Sequence, residues 1–291
     1  MAAAKGKSDT LSLPAWAKRL GTYLKGPGRP LSLAAGLVGV FLLAWYTVWR
    51  EVRANVLSSP DYFVGPQDVE ITPPPEWIRS DIRADVFRSA SLDGHLSIMD
   101  DSLLERIRGA FSLHPWIAKV RRVSKHHPAK VRVELEYRQP VLMVETPGEL
   151  LPVDAQGIVL PRGDFSPVEK SRFPKLAGVN TGPLGAAGER WGDARVVGAA
   201  EIAAAIGPSW QELKLAEIVP AFASSAPEDC VYMLRTRSGT RIVWGRAPGS
   251  KMPGEMPAAD KLSRLKQYAT AHGTLEGRNG PQEFDIRNVR L

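Results

Sequence analysis

The chain has 291 residues, 44% hydrophobic and 24% charged, with 38 Lys and Arg against 31 Asp and Glu, for a formal charge of +7. Its single cysteine, Cys230, excludes an internal disulfide framework, and roughly 240 residues follow an early apolar run, enough for one large or two ordinary domains. The charge is not spread as a nucleic-acid groove requires: Lys5, Lys7, Lys18, Arg19, Lys25 and Arg29 meet only Asp9 in residues 1–30, a local +5 that leaves +2 for the rest.

Residues 1–30 are rich in Ala, Gly, Lys, Ser and Pro and read as a basic, mostly disordered tail. Leu11, Leu13, Trp16 and Leu20 also fit a short surface helix edged by Lys18 and Arg19. Residues 31–49 contain no charge and no proline. As a helix rising ~1.5 Å per residue they span about 28 Å, close to the ~30 Å hydrocarbon core of a bilayer. Trp45, Tyr46 and Trp49 cluster at one end, where amphipathic rings favour the membrane interface, and Arg50 closes the segment. A buried core helix of this length would show a polar face, and this one shows none. A cleaved signal peptide would have a shorter apolar region, and only Val52-Arg53-Ala54 resembles a cleavage site. The basic flank places the tail in the cytoplasm and the body outside, with residues 50–63 as a juxtamembrane linker.

In the body, Val69-Glu70-Ile71 predicts a short strand ended by Pro73-Pro74-Pro75. Ile78, Ile82 and Val86 recur every fourth residue and predict an amphipathic helix broken by Gly94. Asp100-Asp101-Ser102 precede Leu103, Leu104, Ile107 and Phe111, so acidic residues stand at a second helix N-terminus, where a catalytic carboxylate pair is the sharper alternative to capping. That helix ends at His114-Pro115-Trp116. A strand follows over Val120–Val123, a turn over Lys125–Lys130, and a return strand over Val131–Tyr137 in which Val131, Val133, Leu135 and Tyr137 alternate with charged residues.

Beyond residue 140, Asp154 to Gly157 is turn chemistry between two short apolar strands. Asp193 is placed to cap a helix carrying Val196, Val197, Ala200, Ala203, Ala204 and Ile206, which Gly207-Pro208 stops. Leu213, Leu215 and Ile218 suggest a strand, and Val231–Arg237 with Thr240–Gly245 a hairpin around Ser238-Gly239. Pro248 to Pro257 is a loop. Leu262, Leu265, Tyr268 and Ala269 predict a last helix flanked by Lys261, Arg264 and Lys266, and Phe284 to Arg287 a last strand. Cys230 begins a strand-like apolar run, which predicts an inert buried thiol.

Several segments resemble a POTRA domain, and more narrowly that of the bacterial cell-division FtsQ/DivIB family. They are Gly94 to Asp100, Pro115-Trp116-Ile117-Ala118, Val120-Arg121-Arg122, Pro128, Val131 to Glu134, and Arg138-Gln139-Pro140-Val141. Leu151 to Asp154 with Gly157 to Leu160, and Phe173 to Gly178, resemble the hairpin and following segment of that family's next domain. The resemblance implies an α+β architecture: a single transmembrane helix, a POTRA domain (β-α-α-β-β) over 64–140, and a mixed β-rich domain with flanking helices over 141–291. It implies a scaffold in the bacterial inner membrane at the septum, whose second domain binds FtsB/DivIC-like and FtsL-like small coiled-coil proteins near its C-terminus. Asp285-Ile286-Arg287 matches the family's Asp-Leu-Arg, which directs attention to Phe284, Asp285, Ile286, Arg287 and Val289 as partner-binding residues. The sequence departs from the family at Asn288, where an aromatic residue is usual, and at Leu291, where the family usually continues into another strand. Either the pairing edge is shortened, or residues 284–291 form the edge themselves. Ordinary packing on the last helix accounts for Phe284, Ile286 and Val289 equally well.

Catalytic patterns are missing. There is no Gly-x-Ser-x-Gly elbow, no Ser-x-x-Lys with Lys-Thr-Gly and no His-Glu-x-x-His, and Gly6-Lys7-Ser8 lacks the upstream glycine of a phosphate loop. His126 and His127 are adjacent, so on a strand they face opposite ways, and His95, His114 and His272 have no ligand-spaced partner. The expectation is a non-enzyme without cofactor, metal, nucleic acid or small-molecule substrate. A POTRA-bearing chaperone or secretion component and a membrane-anchored cell-wall enzyme are the competing readings.

Overall fold

The computed structural model describes residues 29–57, 62–92, 96–222, 230–250, 253–275 and 280–287. The expectations for the tail, for Gly94 and His95, and for Asn288, Val289 and Leu291 lie outside these residues. The chain divides into two compact units, Met1–Tyr62 and Phe63–Leu291.

The first unit contains helix α1 (Arg29–Leu57), with Pro30 in its first turn, where a missing N–H costs nothing. Within it Leu33–Arg53 is long and apolar enough to cross a membrane. The helix runs past Trp49 into residues expected as linker, because Arg50 to Leu57 contain no Gly or Pro to stop it. Phe41, Trp45 and Trp49 recur every fourth residue and stack successively, at 6.5 and 6.4 Å between ring centroids.

The second unit is α+β and rich in sheet. Its elements in order are β1 (Phe63–Val64), β2 (Val69–Ile71), α2 (Ile82–Ser89), β3 (Leu96–Ser97), α3 (Leu103–Ser112), β4 (Ile117–His126), β5 (Lys130–Tyr137), β6 (Pro140–Thr146), β7 (Glu149–Asp154), α4 (Pro167–Lys170), β8 (Lys175–Leu176), α5 (Ala194–Ile206), α6 (Ser209–Glu212), β9 (Leu215–Phe222), β10 (Val231–Thr236), β11 (Arg241–Gly245), α7 (Ala258–His272) and β12 (Glu283–Asp285). Three sheets result: β1-β3, β2-β5-β4, and a seven-stranded sheet in the order β12-β11-β10-β9-β8-β6-β7.

The three-stranded sheet pairs β2 parallel and β4 antiparallel to β5. On β5 the expected alternation holds, with Val131, Val133 and Leu135 buried between exposed charges. On β4 the buried residues are Ile117, Val120 and Val123, every third one. Two register shifts explain this: between Ile117 and Lys119, and between Val120 and Arg122, the strand carries one extra residue, so Ala118 and Arg121 are bulged. The strand therefore begins earlier than its sequence pattern suggests.

Asp81 caps α2, its Oδ1 accepting the N–H groups of Arg83 and Ala84. The helix thus starts at Ile82, and Ile78, expected inside it, is buried in the turn before it. Asp100 accepts the N–H and hydroxyl of Ser102 at 2.8 Å, closing the turn that launches α3. Those bonds, the backbone one foremost, hold its carboxyl below the ordinary aspartate range.

In the seven-stranded sheet, β9, β10 and β11 form an antiparallel meander, while β8 and β12 join in parallel. Helix α5 begins at Asp193, whose side chain accepts the Arg195 N–H, and ends at Gly207, where φ is +52°. It buries Val196, Gly198, Ala199, Ala200, Ile202, Ala203 and Ile206, an apolar surface wide enough to demand cover on most sides. Leu213 lies just after α6 rather than in β9, and residues 158–159 make only isolated bridges, Val153 to Val159 and Ile158 to Arg190, instead of a second hairpin strand.

Two hydrophobic clusters fill the unit. One centres on Val86, Phe111, Trp116 and Val133, the other on Leu142, Trp191, Ile202, Ile218 and Trp244. The first recruits Met143, Leu160 and Phe165 from beyond residue 140. The buried carboxylate of Asp164 anchors that excursion. It accepts the Trp116 indole N–H at 2.7 Å and the backbone N–H groups of Ser80 and Arg79 at 3.0 and 3.3 Å.

Two outcomes are expected in thermal or urea unfolding. Asp164→Asn, which turns an NH2 toward donors that need an acceptor, destabilises by about 2 kcal/mol. Gly198→Ala places a Cβ 2.3 Å from the Tyr232 hydroxyl, which donates to Arg195 O at 3.0 Å, and destabilises by about 1–3 kcal/mol despite alanine's better helix propensity.

Candidate functional site

The strand carrying the sequence-singled residues is the end of the large sheet. β12 pairs parallel to β11 with Arg241 opposite Glu283, Ile242 opposite Phe284 and Val243 opposite Asp285. Two bonds set its orientation: Arg241 N–H donates to Gln282 O at 2.8 Å, and Ile286 N–H donates to Val243 O at 3.3 Å. Backbone groups alternate in direction along a strand, so those of residues 282, 284 and 286 face β11 while those of Glu283 and Asp285 face outward. Among the described residues no strand lies beyond β12.

Helix α7 holds this edge in place. The Tyr268 ring stacks on Phe284 with centroids 4.6 Å apart, and on its other side against His272 at 4.2 Å. Gln282 Nε2 donates to the Tyr268 hydroxyl at 2.7 Å and to Leu275 O at 3.2 Å, and Arg264 donates to Arg287 O at 3.0 Å. Just past the strand, Ile286 is buried, and Asp285 accepts both the backbone N–H and the guanidinium of Arg287 at 2.9 and 2.7 Å. The Asp285 carboxylate raises the Arg287 pKa. The structure thus brings Phe284, Asp285, Ile286 and Arg287 together. Val289 lies outside the described residues. Trp45, Tyr46, Trp49 and Arg50 stand on α1, with Tyr46 outside the stacked ring series.

Lys261, which the sequence places on the flank of α7's apolar face, is drawn into the core. Lys261 is 1% exposed. Its ammonium pairs with Glu255, donates to Arg246 O at 3.2 Å and sits 5.1 Å from the centroid of the Trp244 ring. The signal was present: Lys261 precedes the buried Leu265 by four residues and shares its helix face. What pattern could not supply was the counter-ion, which arrives on the loop before α7. Gly245 makes the approach possible. With φ at +95° it stands where a Cβ would lie 2.5 Å from Glu255 Oε1.

The cysteine and several histidines are buried or held by neighbours. Cys230 is buried, and burial raises its thiol pKa, which keeps it protonated and unreactive. Burial lowers the pKa of His114. His126 Nε2 lies 3.0 Å from the Ser124 hydroxyl, and His272 Nδ1 lies 3.0 Å from Tyr268 O. Among the described residues, no three His, Cys, Asp or Glu side chains gather as metal ligands would. No protein-family model and no curated protein matches the chain.

Lys261→Met keeps the packed stem but leaves Glu255, among the described residues, only the Arg246 backbone N–H at 3.0 Å and the Arg246 guanidinium at 3.8 Å. It is expected to lower stability by about 2 kcal/mol, and the double change Lys261→Met with Glu255→Gln to recover part of that loss in the same unfolding assay.

Proposed function

We propose that the chain is a non-catalytic, single-pass scaffold of the bacterial division machinery, related to the FtsQ/DivIB family. In this reading α1 anchors it in the cytoplasmic membrane and the β-rich body works on the outer side, at the septum. The apolar span in α1 supports the anchor, and the basic residues before it support the orientation. The order β2-α2-β3-α3-β4-β5, in which the short β3 pairs with β1 and the three-stranded sheet runs β2-β5-β4, supports reading residues 64–140 as a POTRA domain.

The observation that carries the proposal is the position of β12. It ends the large sheet, turns the backbone of Glu283 and Asp285 outward, and is braced from behind by α7. A terminal strand held rigid in this way accepts an extended segment by strand addition at little ordering cost. The segments proposed to pair there belong to FtsB/DivIC-like and FtsL-like coiled-coil membrane proteins.

Affinity purification of the full-length chain from membranes, with the Glu283→Pro variant in parallel, tests this. Proline removes an outward N–H and leaves the bonds to β11, and Glu283 otherwise makes an exposed ion pair with Arg241 at 2.9 Å. The expected outcome is recovery of small coiled-coil division proteins with the unaltered chain, at least tenfold less with the variant (about 1.4 kcal/mol,), and an unchanged unfolding midpoint. Recovery of no division protein, together with normal septa after depletion, refutes the proposal.

A further inference from the structure

A cavity of about 300 Å³ opens where the turn before α2 meets the segment around α4, lined by Glu76, Trp77, Phe165, Glu169, Arg172 and Phe173. It uses none of the residues that form or brace β12, and so stands independently of the reading given to that strand.

Its walls are aromatic and held in place. The Trp77 indole N–H donates to Arg138 O at 3.3 Å, so the polar edge of the ring is satisfied by the protein itself. Phe165 is buried and packs on Trp116 at 5.9 Å between centroids, and Phe173 meets Phe165 edge-on, also at 5.9 Å with the ring planes at 88°. Asp164, beside Phe165, fixes this group through its bonds to Trp116, Arg79 and Ser80.

The charges at the rim are not equivalent. Glu169 is engaged: it accepts the Ser166 hydroxyl at 2.6 Å, the Ser166 N–H at 2.8 Å and the Arg79 guanidinium at 2.5 Å. The Ser166 bonds, the hydroxyl's foremost, keep its carboxyl below the usual glutamate range. Glu76 is exposed and has no hydrogen-bond or ion-pair partner among the described residues. Arg172 is exposed and makes no ion pair among them.

Aromatic faces attract cations through their quadrupole, and an unengaged carboxylate beside them adds direct charge attraction. The volume is at the small end of ligand cavities, suited to one side chain rather than a cofactor. A planar guanidinium satisfies both features at once, stacking on a ring while its fork meets a carboxylate. We infer that this cavity receives an arginine side chain from a partner polypeptide, with Glu76 as its counter-ion and Arg172 as a resident competing charge.

The test is a titration of the full-length chain in detergent micelles with N-acetyl-arginine amide, followed through the Trp77 indole N–H resonance and assigned with Trp77→Phe. A saturable shift of that resonance is expected. Glu76→Gln should weaken binding about fivefold and Arg172→Gln should strengthen it about twofold, in line with a partly exposed cation–aromatic site. Since Glu76 has no partner to lose, its variant should keep the thermal midpoint, and a changed affinity then reports on the cavity rather than on folding. The inference is overturned if the resonance does not move. It is equally overturned if N-acetyl-leucine amide moves it as much, which would mark a merely apolar pocket, or if N-acetyl-glutamate amide binds better and loses binding in Arg172→Gln, which would mark an anion site.

Discussion

Asp164 is the residue on which the architecture of the body depends. A buried carboxylate is tolerated only where donors surround it, and its donors come from distant parts of the chain: the Trp116 indole and the backbone of Arg79 and Ser80. Satisfying it forces the segment after β7 to fold back on the first core instead of staying with the second. Phe165 follows into that core, and Phe173 packs behind it. A second polar stitch lies nearby. Asp154, 2% exposed, accepts Arg138 at 2.9 Å while its other oxygen accepts the N–H groups of Gln156 and Ile158, also at 2.9 Å. These two aspartates, with the packing of Met143, Leu160 and Phe165 into the first cluster, join the two apolar clusters of the compact unit 63–291.

With the cores joined, the large sheet is free to be asymmetric. At one end β7 is covered by its own continuation: Leu160 N–H donates to Pro152 O, and Lys170 reaches Leu150 O. At the other end β12 is short, charged at Glu283 and pinned by Tyr268 and Arg264. Short charged edges are a common defence against indiscriminate strand pairing. Rigidity adds selectivity, because a partner must match a fixed ladder instead of moulding one.

Lys261 and Glu255 show what the supporting layer costs. An ion pair taken out of water repays its desolvation only with good geometry and further bonds, and here Arg246 O and the Trp244 ring supply them. The pair ties the loop before α7 to the end of β11, the strand on which β12 rests. Gly245 is required for that junction, since any side chain there would collide with Glu255.

The long apolar helix, the strand β5, the helices α3, α5 and α7 and the β10–β11 hairpin were legible from sequence alone, because each rests on a local period, a cap or a turn that a few neighbouring residues encode. A last short strand around Phe284 and Asp285 was legible too, although it begins at Glu283 and ends before Ile286 and Arg287. Features that depend on how a strand pairs, where a cap falls or which loop packs beside a helix were not. The double bulge of β4 disguises a strand as a three-residue repeat, and Ile78 continues a helical spacing that Asp81 interrupts. Lys261 looks solvated until Glu255 and Trp244 arrive beside it. Composition and pattern determined that this chain carries one apolar span, a basic flank and a body of mixed strands and helices. Only the tertiary structure decided which strand became the edge, where the buried aspartates would find their donors and that three aromatic rings would enclose a cavity beside an unengaged carboxylate. Each of those depends on contacts between separate elements, as between Trp77 and Arg138 or between Ser80 and Asp164, where no local preference reaches.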